Sequence, residues 1–261
     1  MSYPNRFLVE ISYLGFRYHG VQIQPGYLTV AHRFEELLNA HFPEQYHYRF
    51  SSRTDAMVSS EQSYLLLMFN VEVTLEDVFN VFKKLPTDIQ IKSIKKKPSD
   101  YILGNDVLEK DYSYYFHFGA EKLNAFLAPF ICHIDDELNI SQMQLMAQMF
   151  EGTHDFRALS FKPGEDQKTI RQISHSKIVQ VNDIFGYPVE NVWEFQVRGQ
   201  GFLRGQVRMM MAALVSAGQN KLNSQVLKDL LKGKPTEYYA WRVPGVGLTL
   251  KRTLLKSEFS R

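Results

Sequence analysis

The sequence predicts an α+β fold in two halves, each a set of strands crossed by helices that pack on one sheet face. Strand-forming runs rich in β-branched and aromatic residues alternate with capped amphipathic helices. The second half of the chain then repeats that theme, with no low-complexity segment or short-period repeat to interrupt it. A chain of 261 residues suits one large domain or two smaller ones sharing a core. Its 44% apolar and 22% charged residues are those of an ordinary globular protein.

Residues 6–13 read as a first strand with mixed faces. A loop rich in glycine and aromatics follows, from Gly15 to Gly26, in which Arg17, Tyr18, His19, Gln22 and Gln24 offer stacking and hydrogen-bonding groups. A merely long connection explains it equally well. Thr29 caps a helix whose apolar face is Val30, Phe34, Leu37 and Leu38. Strands at 46–50 and 64–69 then flank a short connection. Thr74 caps the next helix, with Val78, Val81, Phe82 and Leu85 on one face and Pro86 as its stop. Residues 89–97 form another strand, and 111–118 is strongly strand-forming, with Tyr112, Tyr114 and Phe116 on one side.

Ser141 and Gln144 fit a capping box for a methionine-rich helix that ends near Gly152; Met143, Met146 and Met149 read as core filler. Strands are expected at 169–181 and 189–198, joined across 182–186. A helix from Phe202 to Ala217 stops at Gly218, a second spans 224–231, and a short final strand occupies 247–251. The boundary between the halves falls between Pro98 and Asp111, dividing the chain into 1–105 and 106–261.

The net charge of +2 predicts no particular partner, but its distribution is uneven. Between Gly201 and Arg261 there are eleven Lys or Arg against three Asp or Glu, and Lys92, Lys95, Lys96 and Lys97 form a second cluster. Such surfaces suit a phosphate backbone; a solvated lysine-rich face is the plainer reading. The single cysteine, Cys132, excludes an internal disulfide and any cysteine-based metal site, and in its apolar run it reads as a small buried hydrophobe. A reducing, cytoplasmic compartment and a soluble protein are expected, with no signal pattern and no apolar stretch of membrane length. His32 and His41 are assigned to helix faces, His133 to the apolar run and His175 to a strand.

The chemistry-bearing stretch is Ser52-Arg53-Thr54-Asp55, which sets a carboxylate beside a cation on a loop held by two strands. An ordinary turn-stabilising pair accounts for it too. On the helix after Gly201, Arg204 and Arg208 are four apart and share a face, an arrangement that suits phosphate or carboxylate recognition or simply a solvated surface.

These pieces occur in an order that resembles the bacterial tRNA pseudouridine synthase TruA family. The matching motifs are Gly-x-x-Tyr-x-Gly-x-Gln-x-Gln (Gly15 to Gln24), Arg53-Thr54-Asp55, Lys-x-Tyr-x-Tyr (Lys110 to Tyr114), Gly-x-x-Asp-Phe (Gly152 to Phe156), Phe-Leu-Arg-x-x-Val-Arg (Phe202 to Arg208) and Pro-x-x-Gly-Leu (Pro244 to Leu248). Each motif alone is weak; six in order, covering roughly Arg6 to Lys256, are specific.

The resemblance implies the pseudouridine synthase fold, in which two α/β halves share a largely antiparallel central sheet and a catalytic cleft lies between them. It implies that Asp55 initiates cleavage of the uridine glycosidic bond, that Tyr112 stacks on the extruded uracil and that Arg208 pairs with Asp55. Leu248 would wall the pocket and Arg53 would meet RNA phosphate, with Tyr18, Gln22, Gln24 and Arg204 as further RNA contacts. The implied substrate is a uridine of the tRNA anticodon stem-loop, the implied assembly a homodimer, and no metal or organic cofactor is needed. A carboxylate acting as nucleophile or base works in its ionised form, which a neighbouring guanidinium favours.

The chain departs from the family pattern where Val21 replaces a tryptophan, where Met57 and Ser59 replace the glycine and histidine of Asp-Ala-Gly-Val-His, and where Gly205 replaces the histidine of Phe-Leu-Arg-His-x-Val-Arg. The changes at Met57, Ser59 and Gly205 also fit a catalytically silent tRNA-binding or folding protein on the same fold. A hydrolase using two carboxylates would need a second acid near Asp55, for which Glu61 is the near candidate.

Overall fold

A computed structural model describes residues 3–234 and 241–258. The chain forms two compact units, Met1–Leu108 together with Thr249–Arg261, and Glu109–Leu248. The chain passes from the first unit to the second at Leu108/Glu109. The last strand, though, returns to the first unit instead of ending the second.

In chain order the first unit contains β1 (Asn5–Tyr13), α1 (Val30–His41), β2 (Tyr46–Phe50), β3 (Ser59–Phe69), α2 (Leu75–Phe82), β4 (Ile89–Lys97) and the single turn α3 (Leu103–Asp106). The second contains β5 (Val107–Phe118), which begins at the boundary, then β6 (Cys132–Ile134), α4 (Ile140–Gln148), β7 (Gly152–Asp155), β8 (Ile170–Ile184), β9 (Tyr187–Gly199), α5 (Gln206–Gly218) and α6 (Ser224–Leu230). The last strand, β10 (Leu248–Leu255), crosses back. Each unit is thus mixed α/β, as the interleaved periodicities predict.

In the first unit β1 lies between β4 and β3, antiparallel to both, and β2 lies antiparallel on β3. β10 pairs parallel to β3, with Thr249 opposite Ser59, and Lys251 is ion-paired to Glu61. Alternation along β1 sends Phe7, Val9 and Ile11 into a core with Phe34 and Leu38 of α1 and Val78 and Phe82 of α2. Leu8 points the other way and packs with Tyr64, Leu66, Met68 and Leu255. The helices begin where the threonines predict. Thr29 accepts from the His32 amide, and Thr74 with Asp77 closes a capping box. The lysines at 92, 95, 96 and 97 lie on β4, the last strand of this order, where charge discourages pairing with another chain.

In the second unit β9 sits between β5 and β8, antiparallel to both, with β7 outside β8 and the short β6 parallel to β5. The β8–β9 hairpin turns on Phe185 and Gly186, both at positive φ (54° and 81°), so the strands run closer to the turn than the sequence suggests. α5 is buried on nearly every side and packs on α4, where Gly218 lies against Met143.

Two helix starts differ from expectation. Asn139, not Ser141, caps α4 by accepting from the Gln142 amide, while the Gln144 side chain donates to the Ile178 carbonyl on β8. α5 begins at Gln206 instead of Phe202, because Gly205 has φ +68° and the Gln206 side chain folds back to accept from the Leu203 amide. Met143 and Met146 are buried as core filler, as is Cys132, and Met149 is half-buried. No described helix is long and apolar enough to cross a membrane.

Candidate active site

Asp55 sits in residues 51–58, between the antiparallel β2 and β3. Strand pairing holds the two ends: the Ser51 amide donates to the Tyr64 carbonyl and the Tyr64 amide to the Ser51 hydroxyl, while Ser59 and Ser60, just past the other end, pair with Thr249 and Leu250 of β10. The middle is held by the glycine-rich loop. The Val21 amide donates to the Thr54 carbonyl (3.2 Å) and the Met57 amide to the Tyr18 carbonyl (2.9 Å). The Tyr13 and Thr54 hydroxyls meet at 2.9 Å in a buried contact, and the Ser59 hydroxyl accepts from the Gly15 amide. Val58 closes a turn onto the Asp55 carbonyl (3.2 Å).

Two glycines make this approach possible. A Cβ on Gly20, which has φ +90°, would lie 2.6 Å from the Thr54 carbonyl oxygen, and one on Gly15 would lie 2.1 Å from the Val58 oxygen. The motif glycines thus exist to let one backbone lie against the backbone that carries the acid. Met57 takes φ +65°, a left-handed conformation, where the family pattern has glycine.

Within this unit the sequence-predicted residues divide. Asp55 is half-buried and Arg53 exposed, while Gln22 and Gln24 lie on the surface, Gln24 donating to the His19 carbonyl (2.7 Å). Tyr18 is different. It is 2% exposed, packed in the core with Val21, and its hydroxyl donates to Asp88 (2.8 Å). Burial and that carboxylate push its phenol up to about 12. Its ring is a wall of the loop, not a surface on which a base can stack. Glu61 points along β3 into its pair with Lys251.

In the second unit, Tyr112 lies on β5 opposite Val197 of β9, and Phe202 meets its ring edge-on at 5.2 Å between centroids. The neighbouring Asp111 is ion-paired to Arg198 across the same strands. Arg208, in the first turn of α5, donates from Nε to the Val243 carbonyl (2.7 Å). Tyr114 is fully buried and its hydroxyl donates to the Pro244 carbonyl (3.0 Å), while the Tyr115 amide donates to the Gly247 carbonyl (2.9 Å). Burial raises the Tyr114 phenol far above its ordinary range, so it serves as a neutral donor.

One segment, 243–248, is therefore pinned by α5 at one end and β5 at the other. Leu248, 6% exposed, closes it. Arg204 is exposed ahead of α5, and its guanidinium carbon stands 5.0 Å from the centre of the Phe161 ring. It is not a helical turn below Arg208 on one face, as an earlier helix start would have placed it. Phe161 and Arg242 escape sequence reading; the glycine at 205 is their only local trace. Among the described residues no group of three or more His, Cys, Asp or Glu is placed to hold a metal ion.

Comparison with known proteins agrees with the motif order. Residues 146–253 match a family model described as tRNA pseudouridine synthase. The tRNA pseudouridine synthase A of Thermotoga neapolitana is 30% identical over 254 residues, covering 95% of this chain and 99% of that protein. The protein of the same name from Staphylococcus saprophyticus is 29% identical over 257 residues, covering 96% and 91%, and that of Staphylococcus aureus 29% over 251 residues, covering 96% and 92%. With similarity of this extent along essentially the whole length of both chains, the protein belongs to the tRNA pseudouridine synthase A (TruA) family.

Proposed function

We propose that this isomerase converts uridine to pseudouridine in the anticodon stem-loop of tRNA, with Asp55 as the residue that starts the reaction. The observation that carries the reading is the backbone clamp on Asp55. Its loop is fixed from both strand ends and from the glycine-rich loop, as a group that must meet one carbon of an extruded nucleotide requires. In the reaction the bond from ribose C1′ to uracil N1 breaks and one from C1′ to C5 forms, while the C5 proton is lost and N1 gains one. Attack on the ring, attack on the sugar and removal of a sugar proton all use the same carboxylate.

Extruding the base costs a few kcal/mol, which stacking and edge hydrogen bonds recover. Tyr112, braced by Phe202, is the stacking ring, for which about 1–3 kcal/mol is ordinary. Arg208 is assigned as the partner of Asp55, Leu248 as part of the pocket wall and Arg53 as a phosphate contact. The protein acts as a homodimer in the cytoplasm.

The test is incubation with an unmodified tRNA transcript followed by chemical mapping of pseudouridine. Wild type is expected to modify the anticodon stem-loop, and Asp55→Ala to bind tRNA without product. Product at other uridines overturns the position; undiminished product with Asp55→Ala overturns the residue. Binding without isomerisation by wild type marks a silent RNA-binding protein. Sedimentation at micromolar concentration checks the dimer, which a monomer refutes.

A further inference from the structure

Ahead of α5, three cations gather on one aromatic ring. The Arg242 guanidinium carbon lies 3.8 Å from the centre of Phe161, that of Arg204 5.0 Å and the Lys162 ammonium 5.5 Å. All are within the range at which a ring face attracts a cation. The two guanidinium carbons are therefore within about 9 Å of each other, a separation comparable with the screening length at physiological salt. Cationic groups gathered this closely make the kind of surface that a polyanion contacts.

The cluster is built, not incidental. The Phe161 amide donates to the Arg204 carbonyl (2.8 Å), which holds the two backbones side by side. Arg157 donates to the carbonyls of Gly164, Glu165 and Gln167, shaping the loop that begins at Lys162. The Val243 carbonyl, tied to Arg208, fixes the backbone beside Arg242.

Gly205 is the link. A Cβ there would stand 3.1 Å from Arg242 Cδ and 3.4 Å from Phe161 Cβ. At the position where the family pattern carries histidine, this chain removes the side chain, and the stem of Arg242 occupies the space. A guanidinium lying over a ring engages it with its face, while its N–H donors lie in its plane, the geometry that grips phosphate oxygens. Trp241, next in the chain and 46% exposed, adds an aromatic surface.

We propose that Arg242, Arg204 and Lys162 on Phe161 form a platform for the RNA phosphodiester backbone, with Arg242 its chain-specific member. The inference rests on the tRNA reading above. Its test is the dissociation constant of an unmodified tRNA transcript as a function of salt, for wild type, Arg242→Ala, Arg242→Lys and Lys162→Ala. Loss of one phosphate contact lowers the slope of log K against log salt by about 0.7–0.9, which weakens binding roughly five- to tenfold at 0.1 M salt. Arg242→Ala is expected to show that loss, carried in KM and not in kcat, and Arg242→Lys to restore the slope. Should Arg242→Ala lose its circular-dichroism spectrum, Lys162→Ala, altered at an exposed side chain, is expected to lower the slope in the same way. Wild-type slopes and affinities in the folded variants overturn the platform. Wild type that binds tRNA but makes no pseudouridine overturns the isomerase reading alone, and wild type that binds no tRNA overturns both.

Discussion

Replacing Gly20 with alanine puts the clamp on Asp55 to a quantitative test. At φ +90° an L side chain carries about 1–2 kcal/mol of backbone strain. The new Cβ would also stand 2.6 Å from the Thr54 carbonyl oxygen and 3.1 Å from the Asp55 carbonyl carbon, both backbone atoms that cannot rotate away. Overpacking of this kind costs about 1–3 kcal/mol. The sum, roughly 2–5 kcal/mol, is a large part of the ~5–15 kcal/mol that holds an ordinary protein folded. Relief comes by moving the Thr54–Asp55 peptide, and a displacement near 1 Å at a reacting group costs on the order of 100-fold in rate.

Gly26 supplies the control. It has φ +77°, and a Cβ added there would meet nothing within 4 Å, so Gly26→Ala carries the strain without the clash. Urea unfolding and single-turnover pseudouridine formation are measured on both. Gly20→Ala is expected to lose about 1–3 kcal/mol more than Gly26→Ala, and to lose turnover that Gly26→Ala keeps within severalfold. Equal losses in stability and in rate would refute the clamp.

Three further outcomes follow from the same unit. Tyr13→Phe strips the buried Thr54 hydroxyl of its partner and is expected to cost about 1–2 kcal/mol in urea unfolding; a loss below a few tenths sinks the contact's importance. Met57→Gly removes left-handed strain at the cost of a more flexible unfolded chain, so stability is expected to rise by up to about 1 kcal/mol, and a clear fall contradicts the strain. For Tyr18 the folded phenol titrates near 12, above the ordinary 10, so the folded state holds the proton more tightly. Its contribution is complete below pH 10 and is lost as pH rises toward 12, and Tyr18→Phe is expected to flatten stability against pH across that window. An unchanged slope contradicts the sign.

What the sequence discloses depends on how far apart the deciding atoms are. The starts of α1 and α2 are legible because Thr29 and Thr74 cap amides only three residues on. The start of α4 is not, because Ser141-x-x-Gln144 and Asn139 both fit a cap, and what removes Gln144 is a carbonyl on β8. The apolar run through Leu203 reads as helix, yet a single glycine dihedral at 205 stops it. The parallel register of β10 on β3 joins residues 190 apart, and no local pattern carries it. The site follows the same rule. Asp55, Tyr112 and Arg208 stand out through motif order, whereas Tyr18 fits the loop motif as a surface group and is instead the core against which that loop closes.

The departures from the family pattern are best understood by asking what each neighbour must do in response. Val21 is buried with Tyr18 in the first unit's core, so a smaller side chain changes packing behind the loop and not the loop's exposed face. Met57 accepts a backbone conformation that glycine adopts without strain, and the turn survives because the Tyr18 carbonyl still receives its amide. Gly205 gives up a side chain, and the stem of Arg242 occupies the space, carrying a guanidinium that does not titrate near neutrality. In each case the change falls on a support while the acid, the ring and the arginine of the motifs keep their identities. On the roles proposed for Asp55, Tyr112, Arg208 and Arg242, divergence of that kind would leave the bond chemistry alone and, through Gly205, alter how the backbone of the RNA is gripped. Which uridines are reached should then change more readily than whether uridine is isomerised.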